Sequence, residues 1–563
     1  MLAYVVLATA TAQKPQSQVT RQNFYFGLSI GSCVTAGGFA IGAVSGGELN
    51  PAVGAALYAL GRLSPGAGPA APVSVLLGFA ALQCIGGLLA AAIFRVTHAR
   101  EFGSGTSTEI AALACEFFGS FVLVLTAGCC VATGLGTWTA TAIASALAAM
   151  VYATGPVSGG NLNPAVSFAL GLTGDLKWTK VVEYWAAQML GGACAGATYS
   201  AMLAPRHVDL APYAPYGWGS AMLAEAIYTC VLCFVVLNCA ASKRNNPADD
   251  GNQFFGLAIG FVVVAGGTAV GAVSGACLNP AVALGADISH FGLRWGAPWA
   301  AAELLGGAVA VLLYRAVRPE ERRAEGLDQL AAPPLLSRCL SEFLGAFVLV
   351  LTVGLNILNG SAFTAWSAGA ALMCMIYALG DVSGGHFNPA VTLAVVAGGR
   401  GKCGARDGAL YVASQLVAAL VAGAVCATFR SAGPAEAGSI RLSPGAGYGL
   451  AAAGAAELFF TAVLAYVVLA VATARPPASQ LTRQSFPFAL AIGSCVTAGG
   501  FAAGAESGGE LNPAVALGLA VNSPAASLGA LLPLVLWELS GAVLAVVVFR
   551  LTHPQEYATS EKV

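Results

Sequence analysis

A nine-residue motif, Ser-Gly-Gly/Ala-x-Leu/Phe-Asn-Pro-Ala-Val, occurs five times. It contains an Asn and a Pro whose side chains could shape a binding or conducting site. The copies are Ser45–Val53, Ser158–Val166, Ser274–Val282, Ser383–Val391 and Ser507–Val515. Asn is a favoured helix N-cap, and Pro is favoured at the first helical position because its missing N–H costs nothing there. An Asn carboxamide can also donate a hydrogen bond to a water or hydroxyl oxygen. The Asn-Pro-Ala boxes are Asn50-Pro51-Ala52, Asn163-Pro164-Ala165, Asn279-Pro280-Ala281, Asn388-Pro389-Ala390 and Asn512-Pro513-Ala514.

The apolar stretch after each box is about ten residues long, half of what a helix needs to cross a bilayer. A half-helix that begins at mid-depth points its positive dipole end at the bilayer centre. Irregular backbone at that depth is tolerated only where it lines a cavity or is buried in protein. Two half-helices from opposite faces would bring two Asn amides together, repel cations and orient waters in opposite senses. We expect Asn163 to pair with Asn279, and Asn388 with Asn512, while Asn50 is left over.

Composition and segment spacing indicate the elements that position the boxes. Of the 563 residues, 57% are hydrophobic and 9% are charged, whereas a soluble domain has about 25% charged residues. Fifteen apolar segments lie near 2–13, 22–42, 71–94, 109–133, 137–157, 180–203, 217–241, 253–272, 297–315, 335–358, 361–380, 407–429, 450–473, 484–504 and 527–549. They predict three membrane helices and one half-helix per half-unit. The chain is therefore predicted to be an integral, multi-pass membrane protein whose partner is the lipid bilayer; its net charge of −1 favours no nucleic acid.

The basic residues predict an orientation. With a cytoplasmic C-terminus, all but five of the 25 Lys and Arg residues fall on the cytoplasmic side, the asymmetry expected of inserted helices. The five exceptions are Arg62, Arg206, Arg294, Arg430 and Arg441. The basic patch Arg315–Arg323 is interpreted as a cytoplasmic linker whose charge sets topology. The sequence does not distinguish a plasma membrane from an organelle membrane.

The beginning of the chain repeats part of its end. Leu2–Val53 aligns without a gap on Leu464–Val515, and 41 of the 52 positions are identical. The later copy follows Ala455–Phe460, whereas only Met1 precedes the first, so the opening helix is cut short. Residues 1–100 are interpreted as the second half of a repeat with an incomplete start; a genuine half-repeat completed by another chain is the alternative. Complete six-helix repeats are assigned to 105–320 and 335–555.

The boxes resemble those of the aquaporin, or major intrinsic protein, family, and the resemblance covers essentially the whole chain. The first helix of each half carries the family's Glu, at Glu116, Glu225, Glu342 and Glu457, and the third helix carries its Gln, at Gln188 and Gln415. The resemblance implies an all-α transmembrane fold of six-helix bundles with two re-entrant half-helices per unit, arranged as inverted repeats. It implies that these Glu residues anchor the re-entrant loops rather than relay protons. It also implies self-association into a four-pore ring, which two chains with two pores each would complete.

The chain departs from the family pattern at the outer constriction. Water-selective members have Arg after the second box, where this chain has Val53, Val282 and Val515. Spacing assigns the other constriction positions to Ile143, Gly267 and Ala276 in the middle repeat and to Ala368, Gly500 and Gly509 in the last. These small, uncharged residues favour passive conduction of glycerol, urea or similar uncharged solutes as well as water, with weaker exclusion of ions. An ordinary water pore and a closed pore remain alternatives.

Further polar residues lie near the boxes. Glu48 and Glu510 stand two residues before their Asn, where the middle repeat has Cys277. Family geometry places Glu510 near Glu457, and two close carboxylates do not both ionise cheaply, which gives the hypothesis of a pH-sensitive loop. A solvated carboxylate at the mouth is the simpler interpretation. An interhelical hydrogen bond is expected of the polar residues that replace the family's Gly or Pro in the sixth helix, which are Gln83, Glu303 and Glu538.

No enzyme motif is present: the sequence has no Walker loop, His-Glu-x-x-His, nucleophile elbow or dinucleotide fingerprint. No nucleotide, cofactor or metal is therefore predicted. Most of the 15 Cys residues lie in apolar runs without ligand spacing and are interpreted as small buried hydrophobes. Two other function classes stay open. One is a non-conducting membrane scaffold of degenerate channel units, and the other is a proton-coupled carrier, which would need ionisable residues facing the pore.

Overall fold

The computed structural model describes residues 1–12, 23–63, 72–103, 108–247, 250–290, 292–322, 330–433, 440, 442–475 and 486–557. Arg323 and Arg441, which entered the prediction of topology, lie outside these residues. All regular elements in the described ranges are helical. Twelve of these helices are long and apolar enough to cross a membrane. The predicted all-α transmembrane fold is confirmed.

The helices follow the sequence repeats. The N-terminal half-repeat contains α1 (Leu2–Val6), α2 (Phe26–Ser45), α3 (Pro51–Leu63) and α4 (Val73–Thr97). The middle repeat contains α5 (Thr108–Ala132), α6 (Thr139–Ser158), α7 (Pro164–Thr173), α8 (Trp178–Leu203), α9 (Trp218–Val236), α10 (Phe255–Ser274), α11 (Pro280–Ser289) and α12 (Gly296–Val317). The last repeat contains α13 (Leu335–Leu358), α14 (Thr364–Ser383), α15 (Pro389–Ala397), α16 (Ala405–Ala432), α17 (Leu450–Val468), α18 (Pro487–Ala503), α19 (Pro513–Ala520) and α20 (Pro524–Thr552). Within the described residues, each predicted apolar segment contains a helix, and each box begins a short helix of 8 to 13 residues.

The chain forms two compact units, and both contain part of the middle repeat. The first unit comprises Met1–Ser17, Arg21–Leu210 and Cys277–Leu304, and the second comprises Gln18–Thr20, Ala211–Ala276 and Leu305–Val563. The first unit thus holds α1–α8, α11 and the start of α12. The second holds α9, α10, the rest of α12 and α13–α20. The predicted segments 1–100, 105–320 and 335–555 follow the sequence repeats, whereas these units follow spatial contacts.

In the first unit, α5 packs against α6 and α8, while α11 packs against α8. The contact between α8 and α11 is close because two Gly residues face it. A Cβ at Gly192 would lie 2.4 Å from the carbonyl oxygen of Ala281, and one at Gly196 would lie 2.4 Å from that of Gly285. Small residues at this contact allow the two backbones to approach, which is how apolar helices associate in a bilayer.

In the second unit, α13 packs against α14 and α16, and α17 packs against α20. Helix α14 lies between α10, from the middle repeat, and α18, from its own repeat. Phe254 next to α10 stacks on Tyr377 of α14 with ring centroids 4.5 Å apart. The first unit contains the equivalent contact, since α2 packs on α6 and Tyr25 stacks on Tyr152 at 4.4 Å. The contact of α2 with α6 in the first unit therefore corresponds to the contact of α10 with α14 in the second unit.

The Ser-Gly pair of the motif ends the preceding helix in four of the five copies, whereas α18 already ends at Ala503. Helices α2, α6, α10 and α14 all end at this Ser, and the following Gly is left-handed, with φ of 83° at Gly46, 91° at Gly159, 86° at Gly275 and 97° at Gly384. A left-handed residue after the last helical turn is the usual way to stop a helix, and Gly adopts it without a Cβ penalty. The chain then turns back toward the box.

Candidate functional site: the paired Asn-Pro-Ala boxes

The four boxes of the two complete repeats share one N-cap geometry. In each, the Asn has extended backbone, its side-chain Oδ1 accepts the N–H of the Ala two residues later, and Pro occupies the first turn. The N–H to Oδ1 distances are 2.8 Å at Asn163 and Asn388 and 2.9 Å at Asn279 and Asn512. The sequence Asn-Pro-Ala thus sets where each half-helix begins, because it satisfies a donor that the first turn leaves without a helical partner.

The structure brings the boxes together in pairs through reciprocal hydrogen bonds. In the last repeat, Asn388 Nδ2 donates to the carbonyl of Leu511 at 2.8 Å, and Asn512 Nδ2 donates to that of Phe387 at 3.0 Å. In the first unit, Asn163 donates to Leu278 at 2.8 Å and Asn279 donates to Leu162 at 2.9 Å. Each half-helix start is therefore fixed by the side chain of the other.

The residue before each Asn has a left-handed backbone although it is not Gly. The φ angles are 55° at Leu49, 51° at Leu162, 52° at Leu278, 50° at Phe387 and 52° at Leu511. Such a conformation costs of order 1–3 kcal/mol and persists only where its surroundings enforce it. In the last repeat the ring of Phe387 lies against Gly345, and Leu511 lies against Gly499. The acceptor carbonyls for the partner Asn residues are thus held in place by buried packing.

Two predicted Glu residues bind the loops that precede the first boxes. Glu342 accepts hydrogen bonds from Ser383 Oγ at 2.6 Å, His386 N at 3.0 Å, Phe387 N at 2.7 Å and Gln415 Nε2 at 2.8 Å. Glu116 accepts the equivalent four bonds in the middle repeat, from Ser158, Asn161, Leu162 and Gln188. Both carboxylates are completely buried. Such a carboxylate is stable in an apolar interior only when its oxygens are satisfied, and here two of its four donors are backbone amides of the loop.

The loops before the second boxes contact two carboxylates. Glu457 accepts the N–H groups of Glu510 at 3.2 Å and Leu511 at 2.8 Å, and also the hydroxyl of Ser507. Glu538 of α20 accepts the N–H of Asn512 itself at 2.7 Å. The middle repeat has the same bond from Asn279 to Glu303, at 2.8 Å, and Glu225 accepts the hydroxyl of Ser274 at 2.6 Å.

Sequence reasoning missed this role of Glu303 and Glu538. A bond between helices was expected, but the donor is the backbone of the box Asn. The available signal was positional, because Glu303 and Glu538 follow their Asn by 24 and 26 residues. The second oxygen of Glu538 is buried and has no hydrogen-bond partner within the described residues. Glu510 interacts electrostatically with both Glu457 and Glu538, so three carboxyl groups lie close to one another here.

The last repeat contains a cavity of about 320 Å³ between its two boxes. Asn388 and Asn512 line it, together with the four residues assigned to the constriction, Ala368, Gly500, Gly509 and Val515. Gly500 does more than leave an opening. A Cβ there would lie 2.8 Å from the Cβ of Ala365, and a Cβ on Gly509 would lie 2.8 Å from the Cα of Gly500. Close packing therefore favours Gly at position 500. The sequence assigns Gly500 only to the constriction and does not predict this contact.

The constriction residues assigned to the middle repeat are divided between the compact units. Ile143 and Val282 lie in the first unit and are half-buried. Gly267 and Ala276 lie in the second unit, and Ala276 has a left-handed φ of 50°. Within the first unit, Val282 packs at the edge of a buried cluster that includes Val124.

The N-terminal half-repeat has one box, and it differs from the other four in exposure. Asn50 caps α3 through a 2.9 Å bond from Ala52 N to its Oδ1. Its side chain is exposed, whereas the four paired Asn residues are each 3% exposed. Asn50 pairs with no other box in the described part of the chain. Val53, the position of the absent constriction Arg, is 43% exposed.

Comparisons with known proteins agree with this architecture. The Major intrinsic protein family profile matches residues 104–314, 220–356 and 329–549. The probable aquaporin AqpM of Archaeoglobus fulgidus is 37% identical over 160 residues, which cover 27% of this chain and 63% of that protein. The probable aquaporin TIP5-1 of Arabidopsis thaliana is 34% identical over 177 residues, covering 31% of this chain and 67% of that protein.

Each match therefore spans about two thirds of the relative's length. Among solved structures, the aquaglyceroporin from Plasmodium falciparum is 20% identical and aligns over 38% of this chain and 100% of its own, with a TM-score of 0.33. The family profile covers well over half of the sequence. This chain, an integral multi-pass membrane protein, belongs to the major intrinsic protein family.

Proposed function

We propose that the chain is a passive transmembrane channel for water and small uncharged solutes, with a pathway through each complete pair of boxes. The observation that carries the proposal is the reciprocal bonding of Asn388 and Asn512 at the wall of the cavity. An Asn amide has two N–H donors, and the bond to the partner box uses one of them. The other is available to a water or hydroxyl oxygen in the cavity.

The electrostatics of the cavity support uncharged substrates. Helices α15 and α19 both begin at it, and the positive ends of their dipoles oppose the entry of cations. His386 and Glu510 are the ionisable residues among its described lining. His386 is buried and bonds Thr392 through Nδ1 at 3.2 Å, and Glu510 lies beside Glu457.

The size of the lining residues supports solutes larger than water. Val515 stands where water-selective members of the family have Arg, and Ala368 and Gly509 add little volume. We propose that glycerol- or urea-sized molecules pass. The contact between Gly500, Gly509 and Ala365 limits this widening, because it holds α14, α18 and the second loop together beside the cavity.

Orientation and assembly belong to the same proposal. The distribution of Lys and Arg supports a cytoplasmic C-terminus. Two complete repeats per chain support a ring of four pathways formed by two chains. Asn50 and its half-repeat stand outside these two pathways.

Stopped-flow light scattering on proteoliposomes tests the function. Water and glycerol permeability are compared between the wild type, Asn279→Asp, Asn512→Asp and the double variant, each normalised to inserted protein. Each single variant is expected to remove part of the flux, and the double variant to reach the level of empty liposomes. Ser431→Asp, an exposed position at the end of α16, controls for an added carboxylate. If vesicles with the wild-type protein were no more permeable than empty vesicles, the channel proposal would be contradicted and a non-conducting membrane scaffold would be favoured.

A further inference from the structure

A buried arginine joins the middle and last repeats within the second compact unit. Arg318 follows α12 directly and is 1% exposed. Its guanidinium binds Asp381 of α14 in a fork, from Nη2 to Oδ1 at 2.7 Å and from Nη1 to Oδ2 at 2.8 Å. It also donates to Glu321 Oε1 at 2.8 Å, to Asn238 Oδ1 at 2.6 Å and to the carbonyl of Ala378 at 2.9 Å. All five of its N–H bonds have acceptors.

This burial adds to what the sequence indicates. The patch Arg315–Arg323 is interpreted from the sequence as a cytoplasmic linker whose charge sets topology, which does not predict that Arg318 is buried. Burying a guanidinium is costly unless it is paired and fully hydrogen-bonded. Arg318 meets both conditions. Its partners are Asp381 and Ala378 in α14, Asn238 just after α9, and Glu321 just after α12. The residue is therefore part of a specific contact between repeats.

Asp381, the carboxylate that pairs with Arg318, lies at a helix C-terminus, where a negative charge is unfavourable. Asp381 lies in the last turn of α14, where the unsatisfied carbonyl groups carry partial negative charge. Arg318 neutralises Asp381 and also binds the carbonyl of Ala378 in the same turn. Arg244 is a second cation near this carboxylate, with its Nε 3.9 Å from Asp381 Oδ2, but it also pairs with Glu320 at 3.4 Å.

Two residues after Asp381 the chain enters the re-entrant loop. Ser383 ends α14, donates its hydroxyl to Glu342 and accepts a hydrogen bond from Tyr411 on its carbonyl at 3.0 Å. Gly384 then turns the chain, and Asn388 follows four residues later. A shift in the last turn of α14 would therefore be transmitted to the loop that presents the Phe387 carbonyl and the Asn388 amide.

We propose that Arg318, a residue of the middle repeat, is a positioning residue for the first re-entrant loop of the last repeat. The pathway of the last repeat then depends on a side chain that its own repeat does not contain. This inference rests on the proposed channel function for its flux readout, and on geometry alone for its structural readout.

The corresponding junction in the first unit shows what is particular to Arg318. His98 follows α4 at the equivalent position and hydrogen-bonds the backbone of Ala153, the counterpart of Ala378. The counterpart of Asp381 there is Pro156, which carries no charge. His98 and Arg318 thus contact equivalent backbone groups in the next repeat, but Arg318 also compensates the charge of Asp381.

The test measures the two pathways separately. In the Asn279→Asp background, which retains the last pathway, Arg318→Gln is expected to lower flux per inserted protein about tenfold, since a charge-assisted bond is lost. In the Asn512→Asp background, which retains the middle pathway, the loss is expected to stay below about twofold. Adding Asp381→Asn to Arg318→Gln should restore most of the flux, because it removes the charge at the end of α14 that Arg318 compensates, while Glu321 keeps its hydrogen bonds from Ser242 and Lys243. Arg338→Gln, which removes a partly exposed ion pair with Asp407 in the last repeat, is the matched control.

A second readout does not depend on conduction. Hydrogen exchange of the amides at 384–390 is expected to be faster in Arg318→Gln than in the wild type, and unchanged in Arg338→Gln. Arg318→Lys keeps the charge without the fork and should give an intermediate result, which also serves if Arg318→Gln does not fold. Unchanged exchange at 384–390, or equal flux losses in the two backgrounds, would overturn the positioning role. Absence of flux in both parent backgrounds would instead refute the proposed function and leave the exchange result to decide.

Discussion

The backbone N–H of Asn512 donates a hydrogen bond to the carboxylate of Glu538 at 2.7 Å, so α20 holds the second box of the last repeat from behind. The side chain of Asn512 is thereby left to cap α19 and to bond the carbonyl of Phe387. Glu457 binds the two preceding amides from α17. Two helices thus contribute one carboxylate each to fix the box.

Glu538→Leu is expected to destabilise the protein by about 1–3 kcal/mol, because it leaves the buried N–H of Asn512 without an acceptor. Glu538→Gln keeps an acceptor oxygen and should retain most of the stability. Thermal unfolding in detergent measures both variants. Equal losses for Leu and Gln would mean that the charge of Glu538, and not its hydrogen bond, stabilises the loop.

Val515→Arg is expected to lower glycerol flux through the last pathway about tenfold or more, with a smaller effect on water. Val515 is buried and lines the cavity, so an arginine there would occupy its volume and add donors. Stopped-flow scattering in the Asn279→Asp background measures both solutes, and Val515→Leu serves as the apolar control. A parallel fall in water and glycerol flux would contradict a role of this position in selectivity.

Gly345→Ala is expected to destabilise the last repeat by about 1–3 kcal/mol, the usual cost of overpacking. Its Cβ would lie 2.3 Å from the ring carbons of Phe387, whose carbonyl accepts the bond from Asn512. Flux through the last pathway should fall as well. Gly529→Ala is the control, because no heavy atom lies within 4 Å of the added Cβ and Ala is the better helix former. Equal unfolding temperatures for the two variants would show that Phe387 yields without cost.

Stability should depend on pH through Glu321. Burial opposes its ionisation, but Arg318 and the hydrogen bonds from Ser242 and Lys243 outweigh burial and hold the pKa of Glu321 below its ordinary value. The ionised carboxylate therefore contributes stability that is fully present above the unfolded pKa of about 4.3 and is lost as pH falls through the lowered folded value. Unfolding temperatures between pH 7 and pH 3 should show this loss, and Glu321→Gln should show a flatter profile with a lower value at pH 7. If the unfolding temperatures of the wild type and Glu321→Gln fell in parallel with pH, Glu321 would not be the source of the pH dependence.

The helices and the half-helices could be predicted because their signals are local. Apolar length places the spans, and Asn followed by Pro places the start of each short helix. The family resemblance implies that Glu342 contacts its loop, and in the structure Glu342 accepts the N–H groups of His386 and Phe387. What these contacts do for conduction stays a prediction.

The features that sequence reasoning missed depend on long-range packing. Arg318 was assigned to a cytoplasmic linker, and its contact with Asp381 was missed because Asp381 lies 63 residues later and no local pattern links the two residues. Gly500 was assigned to an open aperture, but its surroundings are set by Ala365 on another helix. Glu538 was noticed as unusual, yet only the folded chain shows that its acceptor oxygen meets the amide of Asn512.

The fork between Arg318 and Asp381 also restricts how such a chain could be rearranged by recombination. A copy of the last repeat moved behind a junction that ends in His98 would bring an acidic helix end to a neighbour without a permanent cation. The repeat with Pro156 carries no such requirement. The last repeat is thus matched to the junction that precedes it through Arg318 and Asp381, and moving this repeat would require moving Arg318 with it.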